Sequence, residues 1–154
     1  MTIQNPLRVK FTKMHGIGND FVVVDCLAAA LPEEDLPEIS RKMNDRRFGI
    51  GGDGLILVLP SKVGNFRMRM FNPDGSEAEM CGNGIRCFAR YVWDRKYATE
   101  QSLRIETQAG LKPVKILTRA GKVEAVKVDM GMPRLRRSEI PMRGEDTERV
   151  VGES

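Results

Sequence analysis

FNPDGSEAEMCGNGIR, from Phe71 to Arg86, decides how the rest of the chain is read. A strand-like stretch runs into Asn72-Pro73-Asp74-Gly75, a strong turn signal. Cys81 then stands directly before Gly82, Asn83 and Gly84, and apolar residues recur at helical spacing after them. A helix start leaves backbone N–H groups unpaired and lies at the positive end of the peptide dipole. Both features favour thiolate, the reactive form of cysteine. The glycines clear side chains from the same spot, so a small anionic substrate can approach the backbone. An ordinary small residue at a helix cap would be the plain explanation of such a cysteine. The flanking glycines and asparagines favour chemistry, and Cys81 is expected to be the most reactive thiol of the chain.

Working outward, a helix is predicted over Gly82–Lys96, with Ile85, Phe88, Ala89, Val92 and Trp93 forming a wide apolar stripe. Upstream, Leu7–Met14 reads as a strand, His15–Asn19 as a glycine-rich turn, and Asp20–Cys26 as a β-branched strand. A helix is predicted from Pro32 to about Asn44, with acidic residues in its first turn. GLILVLP and NFRMRMF read as strands; in the second, Phe66, Met68 and Met70 share one face and Arg67 and Arg69 the other. Downstream, SLRIETQAG, LKPVKILT and KVEAVKVDM alternate as strands, with a turn at Gly121. The tail after Gly131 has no clear period. Strands, a buried helix and more strands predict an α+β fold: a mixed, mostly antiparallel sheet curled around a central helix, not a doubly wound parallel sheet. A boundary is placed near Glu124, giving a lobe over 1–124 and the start of a second over 125–154.

The chain has 154 residues, 41% hydrophobic and 30% charged, as expected of a globular protein. No apolar run is long enough to span a bilayer, and the N-terminus has no signal-peptide core, so no membrane and a cytoplasmic location are expected. The net charge of +4 is scattered and aromatic residues are few, which argues against nucleic acid as a partner. The cationic residues at Arg46-Arg47 and Arg134–Arg137 read as solvated surface. Three cysteines and one histidine give neither a disulfide scaffold nor zinc-site spacing, so no metal is expected.

Gly49, Gly51 and Gly54 fit G-x-G-x-x-G, but a strand follows instead of a helix, so the dinucleotide-binding reading fails. The glycines are expected in a tight turn or a pocket wall. His15 is expected in a turn or packing role. Cys26 reads as a small buried hydrophobe. Cys87 lies six residues after Cys81, about 9 Å along the same helix, too far for a disulfide while the helix is intact. Asn19 and Asn72 offer amides with both donors and an acceptor, although asparagine is also common in turns.

Phe71–Arg86 resembles the active-site signature of diaminopimelate epimerase. Lys13–Phe21 (KMHGIGNDF) and Asp45–Gly54 (DRRFGIGGDG) match the same family in the same order. The resemblance implies a lobe with its sheet curled around a central helix, and a site between two such lobes. It implies that Asn19, Asn72 and Asn83 contact substrate, that Cys81 is one of two catalytic thiols, and that no cofactor is used. It further implies a second cysteine and a Glu-Arg pair in the other lobe. Family members are longer, so the chain is expected to hold the first lobe and the opening of the second, to be inactive alone, and to form a homodimer when full length. Gly54 departs from the glutamine that many members carry there.

Inverting an amino-acid centre needs a base close to the α-proton and fixed donors for the charge that develops at the carboxylate. Cys81 suits the first task, and the backbone N–H groups of Gly82 and Asn83 the second. The expected partner is therefore a small amino-acid substrate, and the resemblance implies that the reaction is interconversion of LL- and meso-diaminopimelate. A related racemase or isomerase of the same fold, or a redox thiol protein, is the alternative; the last lacks C-x-x-C support.

Overall fold

Two nearly unbroken apolar runs, Phe21–Val24 and Leu55–Val58, become the centre of the molecule because both of their faces are covered. The computed structural model describes residues 8–140, 142–145 and 150. In chain order it has β1 (Phe11–Gly16), β2 (Asn19–Asp25), a 3-10 turn (Glu33–Asp35), α1 (Leu36–Asn44), β3 (Gly54–Leu59), β4 (Phe66–Phe71), β5 (Glu77–Ala78), α2 (Gly82–Asp94), β6 (Ser102–Thr107), β7 (Gly110–Arg119) and β8 (Lys122–Val128). The strands form one sheet in the order β1-β2-β3-β4-β6-β7-β8, with β5 added beside β4. Every pairing is antiparallel except β2 with β3 and β4 with β6. The mixed, mostly antiparallel sheet is thus as the sequence predicts.

The sheet wraps α2, which packs against β1, β2, β3, β4, β7 and β8. Phe21, Val23, Ile56, Val58, Met68, Met70, Ile105, Val114 and Ile116 face it. Ile85, Phe88, Ala89 and Val92 are fully buried in return. Burial of a side chain the size of Phe88 contributes roughly 2–3 kcal/mol, so this helix anchors the fold. On the outer face Val22, Val24, Leu55, Leu57 and Phe71 pack with Leu36, Ile39 and Met43 of α1. Met68 and Met70 point inward, while Arg67 and Arg69 turn outward, as their alternation predicts. Arg69 is held by Glu33 at 2.7 Å and Glu77 at 2.7 Å, tying the 3-10 turn and β5 to β4.

Three local expectations need correction. The first strand begins at Phe11 instead of Leu7, which lies outside the described residues, and runs on to Gly16. His15 and Gly16 are strand residues because they pair with Asp20 and Asn19; the turn is only Ile17-Gly18, at φ 57° and 83°. On α2, Trp93 is only half-buried, whereas Cys87 and Tyr91 are buried. A curled sheet covers more of a helix than one stripe, so residues flanking the stripe are enclosed too. The third is the tail, where Arg137–Glu139 forms a short 3-10 turn despite the lack of period. Glu124 lies within β8, which pairs with β7 as far as Val128.

Candidate active site

Cys81 is the N-cap of α2, in extended backbone at φ −139° and ψ 115°. Its carbonyl accepts from Ile85 N at 2.9 Å, starting the helix. The Gly84 N–H donates to Cys81 Sγ at 3.4 Å, a sulfur cap in place of the usual oxygen. The N–H groups of Gly82 and Asn83 have no partner among the described residues. A Cβ on Gly84 would lie 3.3 Å from Cys81 Cβ and 3.3 Å from Ile56 Cδ1, so a glycine lets the thiol pack this closely. A Cβ on Gly82 would meet nothing nearer than Met130 Cε at 3.9 Å, which leaves the approach to the helix start open.

The β1–β2 hairpin brings a second segment to this spot. Asn19 begins β2, and its Oδ1 lies 3.9 Å from Cys81 Sγ and accepts from Asn83 Nδ2 at 3.2 Å. Arg86, one turn into α2, donates to Asn83 Oδ1. Asn19 Nδ2 donates to Asp53 Oδ2 at 2.9 Å. Cys81, Gly82 and Asn83 at the start of α2 and Asn19 at the start of β2 are thus gathered at one place by two separate segments.

Asn72 is positioned differently. Its Nδ2 donates to Ser76 Oγ at 2.9 Å, and its carbonyl accepts from Gly75 N at 2.9 Å and Ser40 Oγ at 2.8 Å. Gly75, at φ 87°, closes the turn as the Pro-Asp-Gly signal predicts. Among the described residues Asn72 makes no hydrogen bond to the Cys81 cluster. His15 is exposed on β1 and not in a turn. A cleft between β1, α2 and β8 is lined by Thr12, His15, Arg86, Cys87 and Val126, but not by Cys81.

The glycines of the Asp45–Gly54 loop cap the C-terminus of α1. Ile50 N and Gly51 N donate to Met43 O at 3.0 Å, and Gly52 N to Asn44 O at 3.1 Å. Gly54 is buried; a Cβ there would lie 2.8 Å from Met70 Cε and 3.1 Å from Phe71 O, so no side chain reaches the site from this position. The charged residues of the loop were missed by sequence reasoning. Arg46 is not a free surface cation: it pairs with Asp20 at 2.7 Å and Asp53 at 2.8 Å. Lys13 adds a contact to Asp20 at 2.8 Å. Arg46, then Lys13, hold the Asp20 carboxyl well below the usual carboxylate range. The only signal available was the mixture of charge in two segments that both carry the family pattern.

Of the three free thiols, Cys26 and Cys87 are buried and Cys81 is half-buried. Burial pushes the Cys26 and Cys87 thiols up. Iodoacetamide at neutral pH should therefore label Cys81 in the folded protein at least about tenfold faster than the other two, since access and thiolate character both control the rate. Peptide mapping checks this; equal or faster labelling of Cys26 or Cys87 would count against a special Cys81.

A model of the diaminopimelate epimerase family matches residues 11–136. The diaminopimelate epimerase of Pelotomaculum thermopropionicum is 54% identical over 143 residues, covering 93% of this chain and 51% of the relative. That of Moorella thermoacetica is 56% identical over 134 residues, covering 87% of this chain and 48% of the relative. The chain spans about half the length of the curated relatives it matches. Among solved structures, a Bacillus anthracis protein of the phenazine biosynthesis PhzF family superposes with TM-score 0.56 at 30% identity, over 73% of this chain and 36% of the other. A probable proline racemase from Agrobacterium radiobacter gives TM-score 0.62 at 17% identity, over 79% and 41%, a likeness of fold alone. Among the described residues no helix is long and apolar enough to cross a membrane.

Proposed function

The chain belongs to the diaminopimelate epimerase family, and we propose that it supplies one face of a site that interconverts LL- and meso-diaminopimelate. Cys81 is the base for one face of the α-carbon. The N–H groups of Gly82 and Asn83 receive the substrate carboxylate, where negative charge grows as the α-proton leaves. Asn19 and Asn83 orient the amino acid beside the thiol, and Asn72 contributes once its amide exchanges Ser76 for substrate. The acid for the opposite face, as the family resemblance implies, is a second thiol outside this chain; Cys26 and Cys87 are both buried. In this reading no cofactor takes part, the compartment is the cytoplasm, and the full-length enzyme is a homodimer with no nucleic-acid partner.

The observation that carries the reading is the thiol at the α2 N-cap, 3.4 Å from Gly84 N and 3.9 Å from Asn19 Oδ1, beside two N–H donors that have no partner among the described residues. The test mixes this chain with the complementary second half of a curated relative and follows the α-carbon in heavy water. Solvent deuterium should appear in the inverted product from either isomer, because proton removal and return use different groups. The chain alone should show no inversion. Inversion that retains the original hydrogen, or robust turnover by the chain alone, would overturn the two-thiol mechanism.

A further inference from the structure

The Asp45–Gly54 loop places no side chain on Cys81, yet it ends in a carboxylate that controls one which does. Asp53 is gripped by β2 at both ends: its N–H donates to Asp20 O at 2.7 Å, and its Oδ2 accepts from Asp20 N at 2.9 Å. Oδ2 also accepts from Asn19 Nδ2 at 2.9 Å, while Oδ1 takes Arg46 Nη2 at 2.8 Å. An ionised carboxylate only accepts, so Asn19 must turn its NH2 toward Asp53. Its oxygen then faces Asn83 Nδ2 and Cys81 Sγ. At the other end Arg86 only donates, so Asn83 must present its oxygen to Arg86 and its NH2 to Asn19. Two groups of fixed polarity, Asp53 and Arg86, thereby set the direction of both amides between them.

We propose that Asp53 is a positioning residue for the Cys81 site: it holds Asn19 with the amide oxygen toward the thiol, so the wall beside Sγ presents an acceptor, not a donor. This deepens the functional reading above and rests on it. An acceptor there complements a substrate ammonium group, whereas a turned amide would present NH2 to it. The glycine loop serves the same end, because its bonds to the end of α1 fix where Asp53 leaves the loop.

The test needs no turnover. In the wild-type chain the Asn19 side-chain NH2 protons should exchange with water at least about tenfold more slowly than those of exposed Asn65, whose nitrogen has no partner among the described residues. Asp53→Ala should move the Asn19 NH2 resonances and abolish that protection, while Asp53→Asn, which keeps one acceptor oxygen, should retain it. Arg46→Ala, which leaves Oδ2 in place, should also retain it. Iodoacetamide labelling of Cys81 should rise at least about threefold in Asp53→Ala, because a freed Asn19 can turn a donor toward the sulfur. In an Asn19→Ala background the same Asp53→Ala change should have no further effect. The proposal is overturned if wild-type Asn19 exchanges as fast as Asn65, or if Asp53→Ala changes labelling equally with and without Asn19. The wild-type exchange rate decides even if Asp53→Ala does not fold. Failure of inversion in heavy water would count against the functional reading and leave these readouts standing.

Discussion

Cys81→Ala is expected to lower inversion by about a thousandfold or more when the chain is combined with a complementary second half. Removal of a positioned general base costs typically 10²–10⁴ in rate, and the weakly acidic α-hydrogen leaves little to a background reaction. A thousandfold loss corresponds to about 4 kcal/mol of transition-state stabilisation. Among the described residues no other side chain beside the thiol can stand in. The side chain that accepts from the Cys81 thiol, Asn19, offers an amide oxygen that is too weak a base, and Cys87 is buried in α2. Deuterium uptake at the α-carbon, started separately from each stereoisomer, is the measurement. Asn72→Ala provides the contrast: it should weaken substrate positioning and leave Cys81 open to alkylation, because Asn72 is bonded within its own turn and not to the thiol. If Cys81→Ala inverts either isomer at near wild-type rate, another residue is the base.

The helix and its sheet were legible because periodicity reports burial. The stripe on α2 and the alternation in Phe66–Met70 each mark one buried face, and both fall where expected. The continuous apolar runs of β2 and β3 carry a further signal, since a strand shows no alternation when both faces are covered. What periodicity could not show was the reach of the sheet around α2. The helix packs against strands far away in sequence, β1 and β8 among them, and no local pattern encodes the burial of Cys87 and Tyr91 that goes with it.

The candidate site was legible to the extent that it is local. Cys81, Gly82 and Asn83 are consecutive, and a thiol before two glycines at a helix start is visible in one segment. Asn19 was found only through the family pattern. Arg46 was read as solvated surface, and Asp53 was passed over for the glycines around it. Their work depends on the hydrogen-bond polarity of partners in two other segments, which appears only once the β1–β2 hairpin and the Asp45–Gly54 loop lie side by side.

That dependence makes Gly49→Ala the most damaging glycine substitution to expect in the loop. A Cβ at Gly49 would lie 2.0 Å from Lys42 O, 2.8 Å from Asp45 O and 3.1 Å from Met43 O, all backbone atoms at the end of α1. No rotamer relieves such a clash, so the loop must move off the helix. The bonds at stake include Gly49 N to Asp45 O at 3.0 Å and Ile50 N to Met43 O at 3.0 Å. With about 1 kcal/mol for each bond lost, and the strain added, a destabilisation of about 3 kcal/mol or more follows. For a chain of this size that is roughly a 10 °C fall in Tm. Gly121→Ala is the control. It has φ +77° but nothing within 4 Å, so its cost is the backbone conformation alone, about 1 kcal/mol. The loop movement should also release Asp53, so in Gly49→Ala the Asn19 amide protons should lose their protection at temperatures where the protein is still folded. Equal Tm for the two variants would mean that the glycine loop does not fix the end of α1, and with it the placement of Asp53.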